Sequence, residues 1–342
     1  MKVLFRVEGN HAIGLGHIMR CLALAQSMVA QRHEVIFAIS ERSLPLCQSR
    51  VVVLGKVLIL PTSCGDSEAQ WLTKQCEKLA VDWLVLDGYE FQQDYRFALR
   101  SAVFKLAVFD DTNDTGALHA DLVINGAPNA ELINYQQTAA NAVLAVGEYY
   151  RILRPEFLQL AEKSWSGRDC MTLMFGGSDP LNLTMSLLNL LAKSPLSMPI
   201  VVITGAAYGH LANLEKWLTT STLAIQHLHD CQHMAEILSK TRLAVSAAGG
   251  AQFELLACAT PAVLLVTAKN QLFASQQAAQ QGWCEVIDLE QCSITALAEQ
   301  CINLWQQPQK LQNMHQQALM MTTYDGAKHI VERMAQGVAS VK

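Results

Sequence analysis

The sequence is sparing with charge. Asp, Glu, Lys and Arg make up 16% of its 342 residues, and the formal balance is −5. Lysines and arginines are scattered, without the basic stripe that nucleic-acid binders carry, so no nucleic-acid partner is expected. Ten cysteines include no Cys-x-x-Cys pair. A chain this long needs no disulfide scaffold, which makes them reduced thiols of a cytoplasmic protein. The longest apolar stretch, around Leu255 to Ala268, is interrupted by Pro261 and too short to span a bilayer, so no membrane insertion is expected. The opening Met1-Lys2-Val3-Leu4-Phe5-Arg6 is too short an apolar run for a secretory signal. There is no Asp-x-Asp, the usual carboxylate clamp for a metal–diphosphate complex, and no Gly-x-Ser-x-Gly nucleophile elbow. His227, His229 and His233, near Asp230 and Cys231, fit no ordinary zinc spacing and read as a polar loop and helix start.

What is present is a strong βα alternation. Hydrophobic residues make up 51% of the chain, enough for a large core, and the length favours two domains. Val3–Val7 reads as a strand. Ile18, Leu22, Ala25 and Val29 then form one face of a helix, at spacings of four, three and four. Strands follow at Glu34–Ile39, Val57–Leu60, Trp83–Leu86, Leu106–Phe109 and Leu122–Ile124, with helical stretches near Glu68–Leu79 and Gln92–Ser101. Arg154 to Gly167 reads as a connector, after which the pattern restarts. Cys170–Phe175, a glycine loop and a helix over Leu183–Ala192 come first. Strands at Ile200–Ile203, Leu243–Val245 and Ala262–Val266 follow, and a final helix starts after Asp325-Gly326 with Asp325 as its cap. Each half begins strand, glycine loop, helix. The expected fold is α/β: two Rossmann-like domains, residues 1–155 and 156–342, facing a central cleft. The last helix is free to pack back on the first domain.

Gly14-Leu15-Gly16-His17-Ile18-Met19-Arg20 is the most informative segment. Gly14-x-Gly16 hints at a dinucleotide fingerprint, but Met19 occupies the third glycine position and the loop from Val7 is long. A helix N-terminus attracts anions and discourages protonation of a nearby imidazole, which makes His17 a candidate general base with Arg20 on the same face. Gly176-Gly177-Ser178-Asp179-Pro180 fits either close approach to a phosphate or a tight turn capped by Ser178 or Asp179. Gly249-Gly250 repeats the arrangement, with Glu254 one turn into the following helix, as a cap or as an acceptor for ribose hydroxyls. Asp87-Gly88-Tyr89-Glu90 and Phe109-Asp110-Asp111 lie at strand ends. Tyr89 is a candidate to line a sugar pocket, while Asp110 and Asp111 read by default as turn caps. Asn270 and Gln271, past another strand end, are candidates to hydrogen-bond a sugar hydroxyl or acetamido group.

Taken in order, these segments resemble the nucleotide-sugar hydrolases of pseudaminic acid biosynthesis, which remove UDP from UDP-2,4-diacetamido-2,4,6-trideoxy-β-L-altropyranose. The resemblance is nearly full length and includes Asp121-Leu122-Val123-Ile124-Asn125 and Leu153-Arg154-Pro155-Glu156-Phe157. It implies the GT-B fold, similarity to the transferase that adds N-acetylglucosamine to the peptidoglycan lipid intermediate, His17 as catalytic base and UDP held by the C-terminal domain. It also implies anomeric C–O cleavage with inversion, without a metal or other cofactor. Gly14, Gly16, Arg20, Asp87, Tyr89, Gly177, Ser178, Gly249, Gly250, Glu254, Asn270 and Gln271 are the expected substrate contacts. Gly88 and Ala251 depart from the pattern, where a bulkier polar residue and a Ser or Thr are usual. A GT-B glycosyltransferase using a UDP-sugar donor, a non-catalytic nucleotide-sugar binder and a hydrolysing 2-epimerase are the rival readings.

Overall fold

The structure, a computed structural model, describes residues 1–9, 15–61, 67–160, 163–194 and 198–339. The chain divides into two compact units. The first is built from the segment up to Pro155 together with the chain from Tyr324 onward, and the second chiefly from Glu156–Thr323.

In the first unit the elements run β1 (Lys2–Val7), α1 (Gly16–Ala30), β2 (Glu34–Ile39), α2 (Leu44–Leu54), β3 (Lys56–Ile59), α3 (Glu68–Leu79) and β4 (Trp83–Asp87). They continue with α4 (Gln93–Ala98), β5 (Lys105–Phe109), β6 (Leu122–Asn125) and β7 (Val143–Val146). All pair in parallel, in the order β3-β2-β1-β4-β5-β6-β7. A parallel sheet is covered on both faces, so its central strands read as continuous apolar runs. β1 shows this: Val3, Leu4, Phe5 and Val7 are all fully buried. Leu4, Ile36, Leu72, Leu84 and Leu106 pack into one core cluster, and each such leucine contributes about 1.5–3 kcal/mol by leaving water. On α1 the buried stripe is Ile18, Leu22, Ala25 and Met28, whereas Val29 is 39% exposed. The 3.6-residue period favours the i+3 step at the end of this helix over the i+4 step expected from the sequence.

α5 (Pro155–Leu158) leads into the second unit, which runs β8 (Cys170–Met174), α6 (Leu183–Leu191), β9 (Ile200–Thr204), α7 (Leu211–Leu218), β10 (Ile225–His229), α8 (Met234–Lys240) and β11 (Thr241–Ala247). Then come α9 (Ala251–Ala257), β12 (Ala262–Val266), α10 (Lys269–Gln280), β13 (Cys284–Asp288), α11 (Ile294–Trp305) and α12 (Pro308–Leu319). Its strand order, β10-β9-β8-β11-β12-β13, repeats the winding of the first sheet. Its core gathers Leu173, Leu187, Val202, Leu243, Val263 and Leu297.

The last helix, α13 (Gly326–Ala339), belongs to the first unit. Asp325 caps it, accepting the Lys328 backbone N–H at 3.1 Å. The Trp83 indole donates to the Met334 carbonyl at 3.2 Å, Lys105 donates to the Gly337 carbonyl at 2.8 Å, and the His329 ring stacks on Tyr149. A Cβ at Gly326 would lie 2.2 Å from the Arg151 carbonyl oxygen, so glycine is required for this approach.

Candidate active site

In doubly wound sheets ligands bind beyond the carboxyl ends of the strands, at the point where strand order reverses. In the first unit that point lies between β1 and β4. Asp87 ends β4 there, fully buried, and α1 begins beside it with His17 and Arg20 in its first turns. His17 Nδ1 lies 2.6 Å from Asp87 Oδ1. Arg20 grips the same carboxylate with two nitrogens, Nε at 2.5 Å and Nη2 at 2.6 Å. Its Nη1 donates to both oxygens of Asp111, at 2.8 and 3.0 Å. The Tyr89 hydroxyl donates to Asp111 at 3.3 Å, and its ring meets that of His17 edge to face, centroids 4.9 Å apart.

The electrostatics follow from these contacts. Burial alone would raise the pKa of Asp87, but Arg20 and then His17 outweigh it and bring it down to about 2. The group is therefore an ionised carboxylate that can only accept, so His17 Nδ1 carries the hydrogen and Nε2 the lone pair. For His17 burial pushes the pKa down, yet the charge and hydrogen bond of Asp87 push it up further, and the net direction is upward. This corrects the expectation that the helix end keeps the imidazole neutral by disfavouring its charged form. The buried carboxylate outweighs the helix terminus and favours the imidazolium. With one arginine between two aspartates, the cluster has a net charge of −1 when His17 is neutral and is balanced once His17 gains a proton.

Asp111 is a further correction. It is not a turn cap but the second anchor of Arg20. Asp110 does cap its turn, accepting the backbone N–H groups of Thr112 and Asn113 at 3.1 and 2.7 Å. Nothing in the sequence separated the two neighbours. An arginine one helical turn from a histidine, with two carboxylates nearby, was the available signal. Gly14 lies outside the described residues. Gly16 opens α1, exposed, with no atom within 4 Å of where its Cβ would be.

In the second unit the strand order reverses between β8 and β11. The two loops there hold Gly176-Gly177-Ser178-Asp179 and Gly249-Gly250. The first is a capped turn. Gly176 has φ +85°, and a Cβ on Gly205, past β9, would sit 2.5 Å from Gly177 Cα. Asp179 is buried and accepts the N–H groups of Leu183 and Thr184 at 2.8 and 2.9 Å. The first donors of α6 are thus already satisfied by an internal carboxylate, which is the capped-turn alternative of the two the sequence offered. Ser178 is buried beside it.

The second loop is different. Gly250 has φ −54° and ψ −26°, a conformation any residue adopts, and no atom lies within 4 Å of where its Cβ would be. The nearest atom to a Cβ on Gly249 is Gln271 Nε2, at 4.0 Å. Neither glycine is demanded by the local backbone conformation or packing. Gln271 Oε1 accepts the Thr267 N–H and hydroxyl at 2.9 and 3.2 Å, which leaves only its NH₂ for another partner. Glu254 lies half-buried one turn into α9. Asn270 lies in the first turn of α10, and its side chain is outside the described residues.

The histidine cluster is a strand end followed by the expected loop and helix start, with His233 at the N-cap of α8. His227 and His229 lie on the edge strand β10, each within 3.0 Å of the Thr204 hydroxyl. Among the described residues no group of three His, Cys, Asp or Glu is gathered to hold a metal.

These two units define a GT-B fold. Residues 171–330 match the glycosyltransferase family 28 C-terminal domain. Among solved structures the chain is similar to MurG of Acinetobacter baumannii, with TM-score 0.65 and 16% identity over 98% of this chain and 100% of that one. It is also similar to the calicheamicin glycosyltransferase CalG4, with TM-score 0.59 and 12% identity over 99% of each. Among sequences it is 25% identical to the UDP-2,4-diacetamido-2,4,6-trideoxy-β-L-altropyranose hydrolase of Campylobacter jejuni, over 83% of this chain and 98% of that protein. It is 27% identical to an uncharacterized protein of Methanocaldococcus jannaschii over 78% of this chain, and spans about half, 55%, of that protein's length. The likeness to these solved structures shows the GT-B fold. No described helix is long and apolar enough to cross a membrane.

Proposed function

We propose that the chain hydrolyses a UDP-sugar at its anomeric C–O bond, with UDP-2,4-diacetamido-2,4,6-trideoxy-β-L-altropyranose as substrate. The observation that carries the reading is the Asp87–His17 pair. A buried carboxylate fixes the tautomer with Nε2 free and stabilises the imidazolium that forms when His17 takes a proton from water. Water attacks the anomeric carbon opposite the leaving group, the bond to the diphosphate oxygen breaks, and inversion follows. UDP is a good leaving group and departs without a general acid. Gly249 and Gly250 let the diphosphate approach the backbone closely, Glu254 accepts from the ribose, and the Gln271 NH₂ reaches the sugar. The likeness to the Campylobacter hydrolase supports this substrate.

A glycosyltransferase is the second reading, favoured by the family 28 match and by the MurG and CalG4 likenesses. Time-resolved proton NMR of the protein with the UDP-diacetamido sugar and no acceptor separates them. Stoichiometric free sugar and UDP, with the first-formed anomer inverted and C2 unchanged, are expected for hydrolysis. Turnover only after an acceptor is added would establish the transferase. C2 inversion would establish an epimerase.

A further inference from the structure

β4 and β5 are neighbours in the first sheet, so the residues just past their ends emerge side by side. Asp87 and Tyr89 come from one strand end and Asp111 from the other, with Arg20 between them. The Arg20 Nε and Nη2 face Asp87, and Nη1 faces Asp111. Its guanidinium carbon stands 4.7 Å from the centroid of the Phe109 ring, which fixes the plane of the fork. Each of the three nitrogens thus has a carboxylate. The planar fork of a guanidinium suits such a bridge, where the single ammonium of lysine does not.

The consequence falls on His17. A cation held by two nitrogens on Asp87 cancels much of that carboxylate's charge as the imidazole meets it. Asp111 engages the far edge of the same cation and leaves the cluster with one net negative charge. After burial, which disfavours the imidazolium, and Asp87, which favours it, Arg20 disfavours it and Asp111 favours it again. Among the described residues the other titratable groups of the cluster are Cys21, on α1 itself, and Tyr89. Burial pushes the Cys21 thiol up, and pushes the Tyr89 phenol up to about 12, so neither changes charge near neutral pH.

We infer that Asp111 is a positioning residue that acts on His17 through Arg20: by engaging the far edge of the guanidinium it preserves the negative charge that Asp87 presents to the imidazole. The inference rests on the reading of His17 as the hydrolytic base and deepens it.

The test is the titration of the His17 ring, followed by proton–carbon NMR and assigned by its absence in His17→Gln. Asp111→Asn keeps an oxygen for Arg20 and loses the charge. It is expected to lower the proton affinity of His17 about three- to tenfold, the effect being limited because the Asp111 side chain is 24% exposed and partly screened by water. Asp111→Glu restores the charge and is expected to bring the titration back toward wild type. In the UDP-sugar assay the acid limb of kcat/KM should move to lower pH in Asp111→Asn by the same factor as the ring titration. A His17 titration unmoved in folded Asp111→Asn overturns the inference and makes Asp111 a structural partner of Arg20 only. Should the Asn variant not fold, Asp111→Gln against Asp111→Glu makes the same charge comparison in a longer side chain, and equal His17 titrations there overturn it. The ring titration needs no substrate. A shifted titration in a protein that releases no UDP therefore supports the role of Asp111 and removes hydrolysis, while UDP release with an unmoved titration does the reverse.

Discussion

Asp87 accepts hydrogen bonds from His17, Arg20 and Cys21, all on the first turns of α1. One carboxylate thus locks the ring, the guanidinium and the helix start together. His17→Ala is expected to lower kcat by about 10²–10⁴ with the fold intact, as measured by steady-state UDP release. Asp87→Asn removes the charge that lifts the His17 pKa, so the acid limb of the kcat/KM profile should move to lower pH as the rate falls. A variant with an unmoved limb would show that another group titrates there. The stability effect has the opposite edge. The Asp87 carboxyl is depressed from 3.8 to about 2. Its contribution, about 2 kcal/mol, is complete above the unfolded value and is lost as pH falls through about 2. Urea unfolding between pH 5 and pH 2 should show this loss in wild type and not in Asp87→Asn. At this scale the sequence was half legible. His17 and Arg20 announce themselves through the glycine turn and the i, i+3 spacing. Asp111 looks like Asp110 until the sheet brings a residue 91 positions earlier beside it.

The two glycine loops of the second unit look alike in sequence and differ in their physical reasons. The Asp179 carboxylate is a helix cap, so Asp179→Ala is expected to cost about 0.5–2 kcal/mol in thermal or urea unfolding. Gly250→Ala meets no steric or conformational obstacle and should change stability by no more than about 0.5 kcal/mol. It is nevertheless expected to weaken UDP binding severalfold by calorimetry. Equal affinity would remove that backbone from the nucleotide site. The strands with long apolar runs, such as β1, β2 and β12, were legible because burial on both faces writes itself as uninterrupted hydrophobicity. β10 was not, because its sequence Ile-Gln-His-Leu-His lies at a sheet edge and half of it faces outward. β7 and β13 were missed for the same reason, since each is a terminal strand with partly exposed positions.

At the scale of the molecule, the first unit is assembled from two distant stretches of chain while the second is nearly continuous. α13 covers Trp83 and Lys105 through main-chain carbonyls and packs Gly326 against Arg151. Removing residues 326–342 should raise hydrogen exchange in β4 and β5 and leave β8 and β11 protected. The same discontinuity sets an order of events on the ribosome. The second lobe can fold as soon as its own strands have emerged. The lobe that carries the imidazole was begun first, yet it stays unfinished until α13, which follows the whole second lobe in the chain, has emerged. A chaperone or protease meeting the nascent polypeptide would therefore encounter the older half as the more vulnerable one.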